Sequence, residues 1–150
     1  MPIILQNDQR AIAIDQKWLG RTAEAILSAA RAETAELSVL LVSDRRMRAL
    51  NRRYRKKDRA TDVLAFPLQR GQIYFPRLKI NLSPVLLGDV VISMQTAKRQ
   101  AKEFGHSLRE EIERLLVHGI LHLLGYDHER NVRAAAVMAR KERAILRAIQ

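Results

Sequence analysis

The stretch HGILHLLGYDH, residues 118–128, constrains the chain most, because it places three histidines at intervals of four and six. On a helix, His118 and His122 project from one face, one turn apart. Gly125 can take the positive φ that ends a helix, so that His128 can return to the same point. The spacing therefore predicts a helix and a turn that close around a metal ion.

Three neutral imidazoles leave one position open on a tetrahedral ion, which is typical of catalytic zinc sites. The chain has no cysteine, so thiolate ligands are excluded. We expect one divalent ion, with Zn²⁺ as the first choice and Ni²⁺ or another transition metal as alternatives, since imidazole binds them all. The fourth histidine, His106, lies outside the predicted helix and is expected at the surface.

Gly119 occupies the position where many metal hydrolases with this spacing carry a glutamate that takes a proton from water. Glycine cannot do this, which argues against a protease. A bound metal can still lower the pKa of water toward about 7. Two carboxylates could assist, Glu111 two turns before His118 and Asp127 beside the third ligand. Both are expected to support the ligands or to lie at the surface rather than to act as the base.

The charge of the chain is strongly positive, with 27 Lys and Arg against 16 Asp and Glu, a net charge of +11. Such a domain favours polyanions, with an affinity that falls with salt. The charge is densest at residues 45–59, RRMRALNRRYRKKDR. A solvated helix face is the alternative explanation, but the excess over the whole chain favours nucleic acid. No apolar run is long enough for a membrane helix, and MPIILQNDQR lacks the features of a secretory signal, so a cytoplasmic location is expected.

Hydrophobic periodicity and turn signals predict a single α+β domain over residues 1–150, with a mixed sheet of about four strands and about five helices. The metal site lies on a helix in the C-terminal half and on the turn after it. The predicted strands are residues 2–7, 36–43, 61–66 and 89–92. The predicted helices run from Asp15 to Arg31, after an N-cap at Asp44, from Ser93 to Gly105, from the capping box of Ser107 and Glu110, and from Asn131 to Ile149.

Three details of this prediction are more specific. In the helix after Asp44, the side chains Met47, Leu50 and Tyr54 are expected to face the core. Residues 69–87 are expected to form a loop or an extra hairpin. In the last helix, one apolar side is predicted to comprise Val132, Ala136, Ala139, Leu146 and Ile149.

Four blocks of the chain resemble, in the same order, the YbeY family of bacterial endoribonucleases and rRNA maturation factors. They are LNRRYRKKD at 50–58, TDVLAFP at 61–67, LGDVVIS at 87–93 and HGILHLLGYDH at 118–128. The resemblance implies a small α+β fold, a metal held by His118, His122 and His128, and cleavage of single-stranded RNA. It also implies maturation of the 3′ end of 16S rRNA and late-stage quality control of the 70S ribosome.

The resemblance further implies a functional arginine in the basic block, for which Arg55 is the first choice and Arg59 the second. A basic groove for RNA phosphates would add Arg52, Arg53, Lys56 and Lys57. The expected partners are single-stranded rRNA, the ribosome or its small subunit, and assembly factors. The chain departs from the family at Ala65, where a serine is usual, and in a longer segment between Pro67 and Leu87.

Two other functions stay open at this point. The first is a ribosome-assembly factor that binds RNA without cleaving it and uses the metal only to fix the helix end. The second is another metal hydrolase, including a protease with a displaced base, which the basic charge disfavours.

Overall fold

The structure, a computed structural model, describes residues 3–68, 74–75, 80–81 and 86–150 and has an α+β fold. In chain order its elements are β1 (Ile3–Asn7), α1 (Gln16–Ala29), β2 (Glu36–Val42), α2 (Asp44–Arg55), β3 (Val63–Pro67), β4 (Tyr74–Phe75), β5 (Ile80–Asn81), β6 (Leu86–Ser93), α3 (Met94–Phe104), α4 (Leu108–Leu123) and α5 (Val132–Ala148). The predicted fold class is therefore confirmed.

The main sheet has four strands in the order β1-β2-β6-β3. β1, β2 and β6 run parallel to one another, whereas β3 pairs antiparallel with β6 and forms one edge. β4 and β5 form a separate antiparallel pair, as expected for an extra hairpin. Residues 86 and 87, which were included in that prediction, belong to β6 instead. The rest of the predicted segment lies outside the described residues.

Side chains alternate along each strand, so the sheet packs on both faces. The two faces are covered unequally. Leu37, Val39 and Leu41 of β2 face the main core, to which α1, α3, α4 and α5 contribute. Val42 faces the other side, where α2 packs through Met47 in a smaller cluster. The edge strand β3 contributes residues to both clusters, so it separates α2 from α4 at one end of the molecule.

The predicted N-cap of α2 is wrong by one residue. Ser43 caps the helix, and its Oγ accepts from the backbone N–H of Arg46 at 3.3 Å. The carboxylate of Asp44 instead accepts from the hydroxyls of Ser93 and Thr96, each at 2.6 Å. Serine and aspartate cap equally well, so partners on the neighbouring element decide between them.

Tyr54 does not face the core, contrary to the prediction, because its side chain is 55% exposed. Met47 is buried as predicted, and the inward position on the last turn of α2 belongs to Asn51, which is 3% exposed. Asn51 donates through Nδ2 to the carbonyl of Arg59 at 2.8 Å, which fixes the chain after the helix. The hydrogen-bonded Asn51 therefore occupies the position that faces the core, and the ring of Tyr54 lies at the surface.

The apolar side predicted for α5 is right only in part, because Leu146 and Ile149 pack against the main core but the residues nearer the start of the helix do not. Val132 is 88% exposed, and Ala136 is exposed as well, whereas Met138 and Ile145 are buried in the main core. These two buried residues are seven positions apart, so a narrow stripe of the helix meets α1 and α4. Among the residues that the structure describes, no helix is both long and apolar enough to cross a membrane.

Candidate metal centre and cleft

α4 carries two of the three histidines, and local signals at both ends fix its position. At its start, Ser107 and Glu110 form the predicted capping box, with hydrogen bonds of 3.0 and 3.1 Å between side chain and backbone. At its end, Gly125 has a φ of 102°. The N–H of Tyr126 reaches back to the carbonyl of Leu121 at 3.0 Å, which reverses the chain toward His128. Both helix-end predictions are confirmed.

His118, His122 and His128, the histidine triad, converge as the spacing predicts. Their ring centroids are 4.9–5.1 Å apart, and one nitrogen from each lies within 4.8 Å of the others. His122 Nε2 and His128 Nδ1 are 3.1 Å apart. Two nitrogens bound tetrahedrally to Zn²⁺ would be about 3.4 Å apart. The triad therefore fits a single divalent ion, although geometry alone does not choose the element.

The electrostatics of the triad favour the neutral form of the His122 ring. Burial lowers the pKa of His122, and the neighbouring imidazoles of His118 and His128 lower it further, against the opposing effect of Asp127 and Glu129. A neutral imidazole is the form that binds a metal. His122 is therefore favoured in the form that can bind a metal ion.

Glu142 contacts the triad and is not among the residues that the sequence pattern predicted. Its Oε2 lies 3.3 Å from His118 Nδ1, and both side chains are mostly shielded from solvent. When Nδ1 carries the proton and donates to this carboxylate, Nε2 is left free for a metal. Glu142 comes from α5, 24 positions from His118, so no local signal in the sequence indicated the contact.

Glu111 was expected to support the histidine ligands or to lie at the surface, and it does neither. Its carboxylate is fully buried and is held by other groups. It forms hydrogen bonds of 2.6–2.9 Å with Gln100, His106 and Arg114. Burial acts to raise the pKa of Glu111, but bonds with Arg114, His106 and Gln100 outweigh it, so the pKa lies below its usual value. His106 is accordingly a half-buried partner of Glu111 rather than a surface residue.

Gly119 is required by packing. A Cβ placed there would lie 2.8 and 3.1 Å from the two methyl groups of Val90 and 3.4 Å from Val63 Cγ2. Contacts this close between a side chain and two strands leave no space for a longer residue. A glutamate at this position would have to enter the contact between α4 and the sheet.

The triad lines a cleft of about 560 Å³ at the β3 edge of the sheet. α4 and the turn after it form one wall, and the end of α2 with the chain that follows forms the other. The lining residues are Asn51, Arg55, Lys57, Arg59, Thr61, Asp62, Val63, Leu64, Ala65, His118, Gly119, His122, Gly125, Tyr126, Asp127, His128 and Glu129. Residues from both halves of the chain therefore meet around one solvent-filled space.

The cleft contains some of the predicted basic residues and not others. Arg55, Lys57 and Arg59 line it, whereas Arg52, Arg53 and Lys56 do not. The separation follows from Lys56, whose φ of 56° ends α2 and turns the chain so that its neighbours on either side, Arg55 and Lys57, both reach the cleft.

Three acidic residues also line the cleft, namely Asp62, Asp127 and Glu129. The Asp127 carboxylate accepts from the N–H of Glu129 at 2.9 Å, so Asp127 stabilises the turn that carries His128. Asp62 was not predicted; it accepts from the N–H of Val63 at 2.8 Å and from Gln100 at 3.2 Å. Asp62 therefore connects the cleft with the buried carboxylate of Glu111, because Gln100 binds both.

Comparisons with known proteins agree with this geometry. A family model described as "Endoribonuclease YbeY" matches residues 4–150. A relative of that name from Pelotomaculum thermopropionicum is 44% identical over 97% of this chain and 95% of its own. One from Aquifex aeolicus is 54% identical over 85% and 78%. A solution structure from Thermotoga maritima has a TM-score of 0.65 at 27% identity, covering 98% of this chain and 88% of that one.

Proposed function

The chain belongs to the YbeY endoribonuclease family, and from this we propose that it hydrolyses phosphodiester bonds of single-stranded RNA with one divalent metal ion. The observation that carries the proposal is the cleft itself, in which three imidazoles fit to hold an ion lie among three cationic side chains. A phosphodiester carries negative charge, so it is attracted to both parts of the site. The proposed activity belongs to one domain comprising residues 1–150.

In this mechanism each group of side chains has a separate task. His118, His122 and His128 hold the ion. When bound, the ion supplies Lewis-acid activation of water or of the scissile phosphate. Arg55, or Arg59 in its place, donates hydrogen bonds to the phosphate oxygens and stabilises the additional negative charge of the transition state. Lys57 attracts the neighbouring phosphates.

The packing of Gly119 supports a nuclease over a protease. A glutamate at this position would force Val90 to shift, because even a Cβ would lie 2.8 Å from one of its methyl groups. The nearest carboxylate contact to the triad is that of Glu142, which we propose accepts from His118 and orients it. In our account, the arginine and the ion together replace a strong general base.

The cellular role that we propose follows from the family. The substrate is the 3′ end of 16S rRNA, and the protein also acts in late-stage quality control of 70S ribosomes, in the cytoplasm. The ribosome or its small subunit, with its assembly factors, would present the RNA. The net charge of +11 supports binding to such a polyanion. Zn²⁺ is the proposed ion because the three ligands are all imidazoles, with Ni²⁺ or another transition metal as alternatives.

The proposal is tested with a labelled single-stranded RNA from the 16S 3′ end and the same RNA annealed to its complement. We expect the protein to cut only the single strand. Arg55→Ala should slow cutting by about 10²- to 10³-fold while RNA affinity changes much less, because the arginine acts mainly in the transition state. Arg59→Ala, measured in parallel, decides which arginine has this task.

Arg46→Ala is the matched control, since Arg46 lies exposed on the same helix, outside the residues expected to bind RNA, and does not line the cleft. Equal losses of cutting and binding in Arg55→Ala would contradict the transition-state role. Tight RNA binding without any cutting by the unaltered protein, repeated on ribosomal particles, would favour the non-catalytic assembly factor instead.

A further inference from the structure

Tyr54 is an aromatic side chain held at the surface. It is 55% exposed, yet its ring meets that of Phe66 at 5.3 Å and 65°. The guanidinium of Arg53 lies 5.3 Å from the ring centroid. These two contacts restrict the orientation of the ring while much of its surface stays open to solvent. An exposed apolar ring fixed in this way is suited to bind another flat group.

The ring pair continues the wall of the cleft. Tyr54 precedes the cleft residue Arg55, and Phe66 follows the cleft residue Ala65. Val63, at the other end of the strand, lies against Gly119 of the histidine helix. At ~3.3 Å per residue, Phe66 is roughly 10 Å along β3 from that point. A single RNA strand bound at the triad can therefore extend over the edge of the sheet to the aromatic pair.

The charge around the ring indicates what binds there. The five basic residues nearest to Tyr54 in the chain are all exposed, namely Arg52, Arg53, Arg55, Lys56 and Lys57. The nearby carboxylate of Asp58 is occupied by Arg48 at 2.8 Å. A flat aromatic group attached to a polyanion satisfies both the ring and the cations, and an unpaired nucleic-acid base has both properties.

We propose that Tyr54, supported by Phe66, is a stacking site for an unpaired base of the RNA whose phosphates run along the cleft. The inference rests on the proposed function and adds a source for its strand preference. A base inside a duplex is already stacked on both faces and paired along one edge, so only a single strand can place one on Tyr54. Tyr54 is thus a specificity-determining residue outside the triad.

The experiment measures RNA affinity by stopped-flow anisotropy, before cleavage accumulates, together with cleavage kinetics. The variants are Tyr54→Leu, which removes the ring, and Tyr54→Phe, which keeps it. Phe104→Leu is the matched control, because Phe104 is 57% exposed, lies near Arg114 and does not line the cleft. A series of oligonucleotides, each with one base removed at a different position, identifies the stacked nucleotide.

We expect Tyr54→Leu to weaken single-strand affinity and raise KM by about 5- to 150-fold, the range for one lost stacking contact, with little change in kcat. Tyr54→Phe and Phe104→Leu should behave as the unaltered protein. Removing the stacked base should weaken binding to the unaltered protein but not to Tyr54→Leu. Unchanged affinity and KM in a folded Tyr54→Leu would overturn the inference. Tyr54-dependent binding without cleavage would retain the stacking site and reject the proposed function, whereas no RNA binding would reject both.

Discussion

The carboxylate of Glu142 lies 3.3 Å from Nδ1 of His118, although the two residues are 24 positions apart. α5 brings the carboxylate to Nδ1 of His118, which leaves Nε2 of the same ring free for a metal. We infer that the last helix does more than cover the core, because this contact would orient one of the three imidazoles.

Replacing Glu142 should weaken metal binding. Glu142→Gln loses the charged acceptor for the His118 N–H, and loss of such a partner typically costs 10- to 100-fold in affinity. Competition with a chelator for Zn²⁺ or Ni²⁺ measures this directly. Glu113→Gln is the control, a half-buried carboxylate on α4 itself. Equal metal affinity in both variants would show that Glu142 has no orienting role.

Adding a methyl group at Gly119 should destabilise the fold. Gly119→Ala forces contact with Val90, and overpacking of this kind costs about 1–3 kcal/mol. Gly20→Ala is the matched control, because it is also helical and its Cβ would meet only Leu5 at an ordinary 3.5 Å. Alanine there should be neutral or stabilise by up to about 1 kcal/mol. Denaturant unfolding distinguishes the two, and equal free energies of unfolding would refute the packing argument.

The buried carboxylate of Glu111 should make stability depend on acid. Its folded pKa lies below the ordinary value of 4.5, so its contribution is fully present above that pH and is lost as the pH falls through the folded pKa. Glu111→Gln should cost about 1–3 kcal/mol at neutral pH, since buried donors lose their acceptor. The stability difference from the unaltered protein should shrink below pH 4.5.

Denaturant titrations between pH 3.5 and 7 measure this difference. Glu113→Gln should show the opposite trend, because burial and the neighbouring Glu110 raise the pKa of Glu113. A difference for Glu111→Gln that stays constant down to pH 3.5 would mean that its ionised form contributes nothing.

The basic residues of the cleft should account for the salt dependence of RNA binding. Each phosphate contact to a single strand adds about −0.7 to the slope of log affinity against log salt concentration. Lys57→Ala should therefore make the slope shallower by about that amount. Arg10→Ala, an exposed residue outside the cleft, should leave it unchanged. Identical slopes for all three proteins would place the RNA elsewhere.

The sequence predicted those parts of the site that depend on neighbouring residues. The capping box at Ser107, the positive φ of Gly125 and the i, i+4 spacing of two histidines are local signals, and together they determine where the triad forms. The apolar runs in β2 and β6 likewise indicated the buried strands.

The parts that were missed depend on contacts between distant segments. Glu142 reaches His118 only through the packing of α5, and Glu111 reaches Gln100 because α3 and α4 meet at that point. Tyr54 was predicted to be buried because its spacing fits the apolar face of α2. Asn51 takes that position instead, since its hydrogen bond to a distant carbonyl is available only in the folded chain.

The most direct test of the central claim is a titration of metal-stripped protein with one divalent ion at a time, following cleavage of the single-stranded 16S 3′-end RNA. We expect the rate to rise with added Zn²⁺, Ni²⁺ or another transition metal and to level off at one equivalent. A folded His122→Ala should neither bind the ion tightly nor cut. Cutting that needs no metal, or that persists in His122→Ala, would contradict a nuclease centred on the three histidines.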